Sequence, residues 1–218
     1  MLESLEIVLV CVAAAICYGI VHDQFTARIC IEYFTVFHPQ IFGTQSPTLL
    51  GIGWGVIATW WVGALLGIIL GVVARAGSRP KLTAVALLRP IGKLLLTMAA
   101  CAALSGFLGF VLAENNIIFL PDRVASGLPV TAHSRFMADW WAHHASYLSG
   151  FLGGIAVCVM AFRRRSRSGE IFGRRRVLFN PRKLAAASNK PTARPTAGGQ
   201  SSKSPSLKTQ SSSPSPLP

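Results

Sequence analysis

Asp139 and His143 stand four residues apart in RFMADWWAHHASYL, and His144 follows at once. On a helix that spacing puts two side chains on one face, where they can share a metal ion or a proton. A second pair, His22 and Asp23, comes directly after an apolar run, and Glu114 closes another such run. His, Asp and Glu are nitrogen and oxygen ligands for first-row metals, and His is also an axial ligand of haem. The candidate site is therefore His22, Asp23, Glu114, Asp139, His143 and His144, and its sharp reading is a metal ion or a haem. The plainer reading needs no cofactor. Polar groups gather at the ends of membrane helices because water is there, and an Asp–His pair can simply cap and hydrate. The spacing matches no named metal motif such as HExxH. The plainer reading is the favoured one, with no catalytic residue assigned.

These residues must be positioned by apolar helices. Of the 218 residues 51% are hydrophobic and only 13% charged, against about 25% charged in an average soluble domain. A bilayer span needs about 20 mostly apolar residues. Four stretches qualify, at about 5–21, 49–74, 93–113 and 145–162. The expected fold is an all-α integral membrane protein, with four transmembrane helices in a compact bundle over residues 1–162. The leading MLESLE carries two acids and no basic residue, unlike the positive start of a secretory signal, so the first stretch reads as a retained span.

Orientation follows from the basic residues. Five lie in Arg75–Lys93 and thirteen from Arg163 onward, so 18 of the 21 fall on one side of the membrane. The positive-inside rule makes that side cytoplasmic and puts both termini there. All five histidines then lie on the outer side. The expected location is a bacterial inner (plasma) membrane, crossed several times.

Small residues recur every four positions in three spans. They are Gly51, Gly55, Thr59, Gly63, Gly67 and Gly71, then Cys101, Ser105, Gly109 and Ala113, then Ser146, Gly150, Gly154 and Cys158. Such rows let helix backbones approach closely. They are read as packing within one bundle, with a homo-oligomer as the alternative. The first row sweeps too wide an arc for one straight neighbour, so it predicts a right-handed crossing or two partners. Trp54 is expected at the outer interface, and Trp60 and Trp61 in helix packing.

Between Val21 and His38 there is neither Gly nor Pro, so the first helix is expected to continue past the apolar run, through about Phe37. Arg28 and Glu32 are spaced to pair on it. Ser134 is expected to cap the helix that enters the fourth span. The five cysteines form no CxxC, and only Cys30 lies outside a span, so no disulfide framework exists within one chain. There is no phosphate-binding glycine loop and no GxSxG elbow.

Residues 163–184 form a basic juxtamembrane segment, in which Arg163, Arg164, Arg165, Arg167, Arg174, Arg175 and Arg176 are expected to face anionic lipid. Nucleic acid is the weaker reading, since no binding fold accompanies the arginines. Residues 185–218, rich in Ser and Pro, are expected to be disordered.

The runs HDQFTARICIEYFTVFHP, FGTQSPTLLGIGWG and ARAGSRP resemble a family of uncharacterised bacterial integral membrane proteins, over roughly residues 15 to 160. The resemblance implies a membrane protein and attaches no activity to it. The functional expectation is a non-enzymatic scaffold or complex subunit that meets a protein partner through its histidine-rich outer surface. The alternative is a metal- or haem-binding membrane protein, with a redox enzyme among its forms.

Overall fold

The computed structural model describes the backbone of residues 2–178 and the side chains of residues 2–169. Residues Met1–Arg176 form one compact unit. Arg174, Arg175, Arg176 and the tail at 185–218 therefore lie outside the side chains that can be placed. Among the described residues every regular element is helical. The helices are α1 (Leu2–Ile29), α2 (Ile31–Thr35), α3 (Pro47–Arg75), α4 (Ala84–Glu114), α5 (Asp122–Ala125) and α6 (His133–Leu178), with a 3₁₀ turn at Val130–Ala132 before α6. Four of them (α1, α3, α4 and α6) are long and apolar enough to cross a membrane.

The four long helices outrun the apolar windows of the sequence. α3 begins at Ser46, whose hydroxyl accepts from Leu49 N, and Pro47 follows at the first helical position, where its missing N–H costs nothing. α4 begins at Thr83, which caps Ala86 N at 3.3 Å, nine residues before Gly92 and well ahead of the expected start at Lys93. Pro90 sits inside it. A proline there removes the bond to the carbonyl four residues earlier. That carbonyl, on Ala86, takes Arg164 Nη1 at 3.4 Å instead. α4 ends at Glu114, and two residues on Asn116, with a φ of 55°, supplies the left-handed turn that commonly follows a helix end. The fourth long helix starts at His133 straight from the 3₁₀ turn, so Ser134 lies inside it and does not cap it.

The glycine row of α3 stays on one partner along its whole length. A methyl group at Gly55 would meet Ile20 N at 2.5 Å, at Gly63 Cys11 O at 2.7 Å, at Gly67 Val8 Cα at 2.8 Å, and at Gly71 Ser4 O at 3.7 Å. All of these belong to α1, so the single-partner alternative holds: the helices cross and α1 follows the row. The α4 and α6 rows also face neighbours in the same chain. A methyl group at Gly109 would meet Met137 O at 3.0 Å, and one at Gly154 a Leu66 methyl at 3.2 Å.

This packing reverses the reading of the tryptophans. Because the glycine face of α3 meets α1, Trp60 and Trp61 point away from the bundle and are about half exposed, at 51% and 52%. Trp54 is the buried one, edge-on to Phe42 and 4.6 Å from the His38 ring.

Arg165 departs furthest from its sequence reading. It does not face lipid; it is buried, at 3% exposure. Its Nε donates to Pro80 O at 2.8 Å, Nη1 to Val73 O at 2.5 Å, and Nη2 to Ala76 O at 2.7 Å and Arg79 O at 3.1 Å. A helix leaves its last carbonyls without intrahelical partners. At the end of α3, Ala76 N takes Val72 O and Leu82 N takes Ala74 O, while the guanidinium fork takes Val73 O and the cap carbonyl Ala76 O, and ties in Arg79 O and Pro80 O of the link to α4. Only arginine carries enough donors in a fixed plane to serve four carbonyls. Its neighbours Arg163, Arg164 and Arg167 are exposed.

Candidate functional site

α1 runs on through the HDQ segment to Ile29 and breaks at Cys30, which is extended (φ −143°, ψ 99°). Neither Gly nor Pro causes the break. It lets Tyr33 and Phe34 fold back and bury against Phe136 of α6. The break also separates Arg28 from Glu32, and the expected pair does not form. Arg28 instead donates to Gln24 O at 2.6 Å and to Thr48 Oγ1 at 2.8 Å, which ties α1 to the start of α3. Buried beside Glu32, whose carboxylate its thiol contacts at 3.3 Å, Cys30 has its pKa pushed up to about 12, first by burial and then by that contact.

The last third of α1 meets the first third of α6. Two ties set their register. Tyr18 OH and Ser146 Oγ share a hydrogen bond of 2.7 Å, and one helical turn further along Asp23 Oδ1 stands 3.4 Å from His143 Nε2. Both members of the second pair are buried, Asp23 at 6% and His143 at 4%. Gly51 makes room behind Asp23, since a methyl group there would lie 2.9 Å from the Asp23 carbonyl oxygen. His22 completes the group: one ligand atom each from His22, Asp23 and His143 all lie within 4.8 Å of one another.

The orientation of His143 is fixed from three sides. Its Nδ1 is 2.8 Å from the Asp139 carbonyl oxygen, one turn earlier on α6. A carbonyl can only accept, so Nδ1 carries the proton and the Nε2 side faces Asp23. The Tyr33 ring stacks on the imidazole at 4.5 Å, and the His22 ring meets it edge-on at 4.6 Å. Burial holds the Tyr33 phenol well above its ordinary range, so it is a neutral wall. His22 Nε2 is buried and has no hydrogen-bond partner.

The six candidate residues are thus divided. His22, Asp23 and His143 come together. Asp139 is fully buried (0% exposed) just beside them and orients His143 through its backbone, while both its carboxyl oxygens lack a partner. The Cys30 N–H that faces that carboxyl group is already given to Thr26 O at 3.0 Å. Glu114 is exposed at the end of α4. His144 is exposed too, bonding the Trp140 carbonyl at 2.7 Å and the Trp140 indole N–H at 3.3 Å.

Sequence reasoning missed the aromatic enclosure. Tyr33, Phe34 and Phe136 wall the group, and His38 packs between Phe34 and Trp54 with its Nδ1 on Tyr33 O at 2.8 Å. Burial lowers the pKa of His38 below its ordinary value. The one available signal was the density of aromatics in EYFTVFHP, directly after the HDQ segment.

The fold and this group define the class of molecule: a multi-pass, all-helical membrane protein with a buried His–Asp–His cluster between its first and last long helices. No protein-family model matches the chain, and it matches no curated protein and no solved structure.

Proposed function

We propose that the chain binds a divalent transition-metal ion through His22, Asp23 and His143. The observation that carries this reading is the 3.4 Å separation of Asp23 Oδ1 and His143 Nε2. Charge-assisted hydrogen bonds of this kind close to about 2.7–2.9 Å. Metal–ligand bonds of about 2.0–2.1 Å in a tetrahedron place neighbouring ligand atoms about 3.3–3.4 Å apart. The pair is too open for a tight ion pair and has the spacing of two ligands of one ion. The Asp139 carbonyl behind Nδ1 is the outer partner that a ligating histidine normally has. Three protein ligands leave a fourth position for water or another small ligand, the arrangement of reactive rather than purely structural zinc sites. An ion is favoured over haem, because imidazole rings 4.6 Å apart leave no room for a porphyrin between them.

The test is metal analysis of protein purified in detergent, followed by titration with cobalt(II). One ion per chain is expected, with the visible absorption of tetrahedral cobalt, and both should be lost in His22→Ala and His143→Ala. Wild-type protein that holds no more metal than His143→Ala would overturn the reading. The chain would then return to the role of a non-enzymatic scaffold or subunit.

The charge distribution supports a bacterial inner membrane with both termini cytoplasmic, and with it a site near the outer face. An impermeant thiol reagent applied to intact cells should label a cysteine placed at Ala125 and spare one placed at Ala84. The reverse pattern would invert the orientation.

A further inference from the structure

A groove of about 580 Å³ opens between α1, α4 and α6. Small residues on α4 create it. Ala99, Ala102 and Ala103 leave a gap opposite α1, while Gly106 lets α4 close onto α6, where a methyl group would meet Ala138 O at 3.1 Å. Phe25 and Phe107 are both 69% exposed at its rim, so it opens sideways to the surface that the apolar helices present to lipid. Its wall is almost wholly apolar and aromatic. The exceptions include His22 and Asp139. Asp139 is the telling one, because it is among the lining residues, its side chain is buried and neither carboxyl oxygen has a hydrogen-bond partner. A buried polar group left without a partner is costly. A ligand in the groove would supply the partner.

The chemistry of the wall narrows the ligand. No Lys or Arg lines the groove, so an anionic phosphate or carboxylate head finds no counter-charge there. An uncharged head with oxygen atoms fits. A carboxylic acid donates to a quinone carbonyl, and a carboxylate accepts from a quinol hydroxyl. Aromatic rim residues suit a flat ring. The volume falls within the range of ligand pockets, about 300–1,000 Å³, that are apolar with a few placed polar groups. We propose that this groove binds an isoprenoid quinone from the membrane, its ring against Asp139 and its chain running out past Phe25 and Phe107. The proposal does not rest on the metal reading, although His22 stands on the wall between the two sites.

The experiment is thermal melting of detergent-purified full-length protein with a decyl-substituted benzoquinone, together with saturation binding of the same probe. Wild type should bind saturably, one probe per chain, with a rise in melting temperature. Ala103→Trp, at an exposed position on the α4 wall, should fill the groove and abolish the rise; Ala99→Trp, one turn away, is the second filling variant if the first folds poorly. Asp139→Leu should weaken binding by roughly tenfold or more. It should not lower the stability of the protein alone, because it removes a group that has no partner. A purely structural role for Asp139 would lower both. Metal content should be unchanged in Ala103→Trp, which lies on the α4 wall and removes no proposed ligand, so this test and the metal test fail separately. The proposal is overturned if the probe does not saturate, if the filling variants bind it as wild type does, or if palmitate or phosphatidylglycerol displaces it at equal concentration. The last result would make the groove an ordinary acyl-chain site.

Discussion

Replacing Arg165 with alanine is the sharpest test of how the bundle is held. The substitution removes four hydrogen bonds from a charged donor to backbone carbonyls, three of them at 2.8 Å or shorter. Each such bond is worth about 1.5–3 kcal/mol in isolation, and each carbonyl left buried and unpaired costs about 1–3 kcal/mol. These values do not add, and the carbonyls sit at a helix end that water can partly reach once the side chain is gone. The expected loss is therefore about 3–5 kcal/mol, at the upper end for a single substitution. Arg165→Lys should lose about half as much, since one ammonium cannot serve four carbonyls spread along a plane. The exposed neighbours Arg163→Ala and Arg167→Ala should stay within about 0.5 kcal/mol of wild type. Melting in detergent, followed by the protection of α3 from proteolysis at its Arg75 end, reads all four variants. If Arg165→Ala melts with Arg163→Ala, the carbonyl clamp contributes nothing, and the lipid-facing reading of this arginine was right.

Three further outcomes are expected. Gly55→Ala should cost about 1–3 kcal/mol, because its methyl group would lie 2.5 Å from Ile20 N and 2.7 Å from Gly19 C, whereas Gly71→Ala, 3.7 Å from its nearest neighbour, should melt like wild type or above it. His38 is held neutral by burial, so its folded pKa lies below the ordinary 6.5. The unfolded chain then binds a proton first as pH falls, and stability is lost from about pH 7 downward. His38→Phe should flatten that slope between about pH 7 and pH 5, and an unchanged slope would assign it to other groups. Cys30, with its thiol pushed up to about 12, should resist alkylation at mildly alkaline pH until the protein is unfolded, and alkylation of the folded protein at an ordinary thiol rate would refute this.

The sequence made some parts of this structure legible and hid others for definite reasons. The spans were plain because an apolar run of bilayer length has few other uses. The meeting of residues 22–23 with residues 139–144 could be argued from topology, since the end of the first span and the start of the last share a membrane side. Asp23 and His143 do stand 3.4 Å apart. The break at Cys30 was hidden because tertiary burial of Tyr33 and Phe34 overrides a locally helix-compatible stretch. Arg165 was hidden because four arginines in RRRSR look alike until the helix phase is known, and that phase depends on where α6 begins. The separation of Asp139 from the three-residue group was hidden for a subtler reason. The i, i+4 spacing correctly placed it beside His143, but the contact runs through its carbonyl, and its buried carboxyl oxygens make no hydrogen bond.

The contact between α1 and α3 bears on the order in which the protein is made. Along the row from Gly51 to Gly71 the close neighbours all belong to α1 or, at Gly53, to the link just before α3. The first two spans therefore carry a complete interface before any of α4 has left the ribosome, and they can pair as a hairpin in the membrane. That hairpin already holds His22 and Asp23. It lacks His143, which arrives more than a hundred residues later in the sequence. The cluster is thus split between the earliest and latest spans to be inserted, and it comes into being only when the last one docks. A ligand captured there would hold together the two ends of a chain that had until then been free to part.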